Sequence, residues 1–114
     1  MSEFAAKSCE ACQAGASPAD AASRSAFLDA HPDWVVEDVQ GVPQLVRVYS
    51  FPDFEAAVTF TNAIAMMAEE EDHHPAITTE WGRVTLRWWT HKIKDLHRND
   101  LIAAAKSDVI YAAD

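Results

Sequence analysis

The stretch AITTEWGRVTLRWWTH, Ala76 to His91, decides the fold. Its apolar and polar residues alternate on both sides of Trp81-Gly82. Alternation at a period of two marks a half-buried strand, and a glycine between two such runs marks a tight turn. The stretch therefore predicts a hairpin, Ile77 to Trp81 and then Val84 to Thr90. Val84, Leu86, Trp88 and Thr90 share one face, and Thr85, Arg87, Trp89 and His91 share the other.

A second hairpin lies upstream. Trp34 to Val39 reads as a strand, QGVP turns the chain, and QLVRVYSF makes the return strand. Between the hairpins, FPDFEAAVTFTNAIAMMAEEE carries the strongest helical pattern. Asp53 is its expected N-cap, and Glu55 falls in the first turn. Phe54, Val58, Thr61, Ala65 and Ala68 form an apolar stripe that Phe60, Ile64 and Met67 widen. Pro75 closes this helix, because the residue before a proline is pushed toward extended backbone. An earlier helix is expected from Ser17-Pro18, a serine cap with proline behind it, to about Ala30, where HPDW breaks it. After the loop HKIKDLHRND, a last helix is expected from about Asn99 to Tyr111. The order is α-β-β-α-β-β-α. Short links within each strand pair predict a four-stranded, mostly antiparallel sheet with three helices packed on one face, a two-layer α+β domain.

The chain has 114 residues, the size of one domain. Residues 1 to 16 read as a flexible tail, with one domain over 17–114. Cys9 and Cys12 lie in that tail. A second CxxC is absent, so a tail without a metal is the plainer reading, with a metal shared between subunits or a redox role as the alternatives. A formal charge of -9 argues against a nucleic-acid partner. Arg83, Arg87, Lys92, Lys94 and Arg98 read mainly as a solvated face. The sequence lacks a run long enough to span a membrane and an apolar signal core, so a cytoplasmic protein is expected.

Two of five histidines, His73 and His74, stand side by side after Glu69, Glu70, Glu71 and Asp72. Histidine is the side chain best suited to exchange protons near neutral pH. A helix C-terminus and nearby acids would favour the charged form of His73. Neighbours in extended chain point to opposite sides, so the two rings should do different work. His91 returns near them at the end of the hairpin, and Asp100 is a candidate orienting group. Three histidines could also hold zinc, but their spacing fits no common ligand pair. His31 and His97 read as incidental. Trp81, Trp88 and Trp89 read as core or subunit interface, with one able to stack on a flat heterocycle. Glycine-rich phosphate loops and a GxSxG elbow are absent, so nucleotide hydrolysis and serine chemistry find no support.

Glu69, then His73-His74-Pro75, then Trp81, His91 and Asp100 together resemble the signature of the pterin-4a-carbinolamine dehydratase family. The resemblance runs from about Ser17 to the C-terminus. CEAC and LHRND are similar to bacterial members that accompany phenylalanine hydroxylase. It implies an enzyme, a hydro-lyase that dehydrates 4a-hydroxytetrahydropterin to quinonoid dihydropterin by histidine acid–base catalysis, without metal or cofactor. The pterin is then the substrate. In the family pattern His73 and His91 are the acid–base pair and His74 holds the pterin. Glu69 and Asp100 support them. Asp72, His73, His74, Trp89, Thr90 and His91 bind the substrate. A homodimer or homotetramer is implied. The rival function is a non-catalytic pterin-binding or dimerisation scaffold, as in some animal members.

Overall fold

The computed structural model describes residues 3–9 and 17–113. Its elements are α1 (Ala21–Ala30), β1 (Val35–Val39), β2 (Val42–Ser50), α2 (Phe54–Glu71), β3 (Ala76–Glu80), β4 (Arg83–Trp88) and α3 (Arg98–Ala113), preceded by a short 3-10 turn, Glu3–Ala6. The expected α+β order is present. The sheet order is β1-β2-β4-β3, and every pairing is antiparallel.

Register decides which residues meet the helices. Leu45 pairs with Trp88, Arg47 with Leu86, and Tyr49 with Val84, so all six side chains share one face. Leu45, Tyr49, Val84, Leu86 and Trp88 are buried there beneath Phe60 and Ile64 of α2 and Leu101 of α3. Val35 and Val48, on the opposite face, are exposed.

Both hairpins turn on two residues. Gly82 sits at φ 79, where a side chain would be strained, so the Trp81-Gly82 turn is as expected. The first hairpin turns at Gln40-Gly41, both at positive φ, the conformation that matches strand twist. Strand β2 therefore begins at Val42 and includes Pro43, earlier than expected. Proline is tolerated there because β4 pairs with β2 only from Leu45 onward.

Other boundaries shift for local reasons. Helix α1 starts one turn later than Ser17 would have it. Asp20 is its cap, accepting the Ser23 N–H at 2.7 Å, while the Ala19 N–H bonds the Leu96 carbonyl and holds Pro18 outside. In α2 the cap is Asp53, as expected, but the buried stripe is Ala57, Phe60, Ile64, Met67 and Ala68. The residues expected only to widen the stripe are its centre, and Phe54 is exposed.

The amino-terminal segment also departs from a flexible tail where it is described. Phe4 is 8 % exposed and meets Phe27 edge-on at 5.7 Å. Lys106 Nζ donates to the Ala5 carbonyl at 3.0 Å. The turn thus covers the outer side of α3. That explains why Leu101, Ile102, Ala103, Ala104 and Ala105 are all buried. A helix covered on several sides shows no single apolar stripe. Cys12 lies outside the described residues.

Candidate functional site

Helix α2 ends at Glu71 because Asp72 adopts left-handed backbone, φ 52 and ψ 41. Its N–H and that of His73 bond back to the last turn, both reaching Ala68 O. Pro75 follows and secures the exit. His73 is thereby turned inward and His74 outward, the opposite placement expected of neighbours in extended chain.

The His73 ring is buried. It lies parallel to Trp88 at 5.7 Å, and its Nε2 is 2.6 Å from Asp100 Oδ1. Asp100 is 0 % exposed. Its Oδ2 accepts from Thr90 Oγ1 at 2.7 Å and from the His97 N–H at 2.9 Å. A buried carboxylate is tolerable only when its lone pairs are satisfied this way. Because the carboxylate accepts from His73 Nε2, that nitrogen carries a proton, and Nδ1 is the position left to exchange one.

His74 is exposed, with Nε2 2.6 Å from Glu69 Oε2, one turn back on α2. His91 stacks on Trp89 at 4.4 Å and 9°. Strand β4 stops at Trp88, short of the expected Thr90. Thr90 instead forms an isolated bridge with Asp95, which buries its hydroxyl against Asp100. Asp72, His73, His74, Trp89, Thr90, His91 and Lys92 surround one open depression of about 470 Å³. All six residues expected to bind substrate line it. Glu69 and Asp100 stand behind His74 and His73.

The acids before the histidines are divided among partners. Glu69 faces His74, and Glu71 Oε1 accepts the Cys9 N–H at 2.7 Å. The acid facing His73 is Asp100. Burial, with Glu71 alongside, pushes the Cys9 thiol up to about 12. Among the described residues, no three His, Cys, Asp or Glu side chains are grouped to hold a metal ion. No helix of the described residues is long and apolar enough to cross a membrane.

Three residues were misjudged or missed. Lys92 joins the rim of the depression. His97 is buried and caps α3 rather than being incidental, its Nδ1 accepting the Asn99 N–H at 3.0 Å. His31 is likewise engaged, with Nδ1 2.6 Å from Asp108 Oδ2 and its ring stacked on Phe27. A clue to His97 was its place three residues before Asp100, the spacing of a capping box. The tryptophans separate: Trp88 is core, Trp89 is in the site, and Trp81 is 73 % exposed at the hairpin tip.

The profile of the family described as pterin 4 alpha carbinolamine dehydratase matches residues 17–110. A protein of Microcystis aeruginosa, provisionally named pterin-4-alpha-carbinolamine dehydratase, is 46% identical over 97% of this chain and 96% of its own. One of Syntrophotalea carbinolica, named likewise, is 49% identical over 96% and 98%. A crystal structure from Brucella melitensis, titled transcriptional coactivator/pterin dehydratase, superposes with a TM-score of 0.72 at 28% identity, over 82% of this chain and 98% of that one. A pterin dehydratase-like protein, titled a RuBisCO assembly factor in the alpha-carboxysome, shares the fold at TM-score 0.60 and 21% identity, over 69% and 89%.

Proposed function

Because the chain belongs to the pterin 4 alpha carbinolamine dehydratase family, we propose that it expels water from a 4a-hydroxytetrahydropterin at the depression between His73, His74 and His91. The C4a–O bond breaks, and the leaving hydroxide takes a proton from an imidazolium. The N5 proton passes to a base, and its electron pair forms the C4a–N5 double bond of quinonoid dihydropterin. The step is redox-neutral and asks for acid and base alone, so no cofactor enters it. His73 and His91 are the acid–base pair. His73 works through Nδ1, since Asp100 occupies Nε2. His74, steadied by Glu69, orients the pterin, and the Trp89–His91 stack presents a flat wall to it. Positioned acid–base groups of this kind contribute about 10²–10⁴-fold.

The observation that carries this reading is the buried His73–Asp100 contact beside a depression that also holds His74 and His91. The protein would serve an aromatic amino acid hydroxylase such as phenylalanine hydroxylase, in the cytoplasm, as a homodimer or homotetramer. Exposed Phe54 and Met66 on α2 are compatible with self-association.

Stopped-flow absorbance of freshly generated 4a-hydroxytetrahydropterin tests the reading, against buffer at matched pH. Acceleration is expected, reduced about 10²-fold or more in His73→Ala and His91→Ala and retained in Asp29→Ala, an exposed site on α1. His31 is unsuitable as a control because it is bonded to Asp108. Folded protein that leaves the decay at the buffer rate would overturn the enzyme reading. A scaffold is the second reading, favoured by the coactivator title of the Brucella melitensis structure. His91→Ala separates the two: a scaffold keeps its oligomer and its function, whereas the enzyme keeps only its oligomer.

A further inference from the structure

Helix α3 opens at Arg98, so His97 occupies its N-cap. Caps are ordinarily Ser, Thr, Asp or Asn, whose oxygens accept an otherwise unpaired N–H of the first turn. Here an imidazole does so: the Asn99 N–H donates to His97 Nδ1 at 3.0 Å. The reciprocal half of a capping box is also present, because the His97 N–H donates to Asp100 Oδ2 at 2.9 Å. A ring nitrogen that accepts an N–H carries no proton, so Nδ1 of His97 is the acceptor and Nε2 the donor position of the ring. His97, Asn99 and Asp100 are all buried, so water is poorly placed to replace a missing partner.

The two carboxylate oxygens of Asp100 therefore serve different ends of one structure. Oδ2 is fixed by the box and by Thr90, and Oδ1 faces His73. Rotation of the carboxylate is restrained only while Oδ2 is held. We propose that His97 is a positioning residue: its imidazole closes the capping box that orients Asp100, and through Asp100 it fixes the tautomer and angle of His73. Its bearing on catalysis rests on the function proposed above. Its hold on Asp100 does not.

Solvent exchange of the His73 Nε2 proton, followed by NMR in protein labelled with ¹⁵N-histidine, reads the restraint without any turnover. The His97 Nδ1 resonance should be that of an unprotonated nitrogen. In His97→Ala the His73 proton should exchange about tenfold faster, the scale of a lost cap. In His97→Ser, whose hydroxyl can accept the same N–H, exchange should return to within about twofold of wild type. The rate should follow, with kcat down about tenfold in His97→Ala at unchanged KM and restored in His97→Ser. If His97→Ala does not fold, His97→Ser alone decides, since a working cap must preserve both quantities. Unchanged exchange in a folded His97→Ala, or a His97→Ser protein as impaired as the alanine variant, would overturn the proposal. Faster exchange with undiminished kcat would overturn its catalytic half. If wild-type protein shows no dehydratase activity, the function proposed above falls, and the exchange comparison still decides the cap.

Discussion

Asp100 receives three hydrogen bonds on two oxygens, from His73, Thr90 and His97. An amide of the same shape has one acceptor oxygen, so Asp100→Asn leaves a buried donor facing an NH₂ group. We expect a loss of about 2 kcal/mol in chemical denaturation and a fall on the order of 10²-fold in the dehydration rate. A fully active Asp100→Asn protein would show that His73 is held by something else. Cys9 makes a second test at this scale. With its thiol pushed up to about 12 by burial and Glu71, it should alkylate slowly. Measured at pH 8 in a Cys12→Ser background, iodoacetamide should react roughly 30-fold slower than with a free cysteine, the loss of thiolate being partly offset by its greater nucleophilicity. The outline of the site was legible because four spacings in one chain constrain one another, those that separate Glu69, the histidine pair with Pro75, Trp81, His91 and Asp100. What stayed hidden was the partner of each group. Preferences for caps point to Ser, Thr, Asp and Asn, so His97 carried no sign beyond its place three residues before Asp100. Asp100 was expected as an orienting group, but nothing in the sequence said that His73 is the histidine it meets.

The end of α2 shows how an element trades stability for placement. Asp72 holds left-handed backbone at φ 52, where glycine is the easier occupant. Asp72→Gly should raise stability by about 0.5 kcal/mol in thermal or urea unfolding. Asp72 also lines the depression, so the same variant should bind pterin less well. No gain in stability would mean that the aspartate side chain compensates for its backbone. The element order was readable because alternation in the strands and Asp53 at the head of α2 are local signals. The stripe of α2 was misplaced by one row, because Phe54 and Val58 look as apolar as the residues that are buried. Only the register of β2 and β4 tells which row faces the sheet. The docking of Glu3–Ala6 on α3 was invisible for a related reason, since a four-residue turn has no period to read. Phe4→Ala should cost about 3 kcal/mol if the Phe4–Phe27 contact belongs to the core. A cost below about 0.5 kcal/mol would mean that it merely rests on the surface.

Across the whole molecule, one carboxylate binds the layers together. Asp108 of α3 accepts from Trp34 Nε1, from Arg47 Nη1 at 2.8 Å and from the Tyr49 hydroxyl at 2.5 Å, and faces His31 at 2.6 Å. These residues come from the end of α1, the approach to β1, and β2. Arg47 also lies over the Tyr49 ring at 4.3 Å. Burial, and then the Asp108 charge, push the Tyr49 phenol far above its ordinary value of 10.0. In the unfolded chain the phenol ionises near pH 10, while in the folded protein it keeps its proton. The unfolded state then binds fewer protons, so stability is intact below pH 10 and falls as pH rises beyond it. For one group the limiting slope is about 1.4 kcal/mol per pH unit. Cys9, raised from 9.0 to about 12, has the same sign, so the comparison belongs in a Cys9→Ser background. Urea unfolding between pH 8 and 11 should show this decline. Tyr49→Phe should begin about 1 kcal/mol less stable at pH 8, having lost the bond to Asp108. It should then decline more gently, so that the two curves converge near pH 11. Parallel curves would mean that Tyr49 ionises as easily folded as unfolded, and that Asp108 is not the junction between helix and sheet.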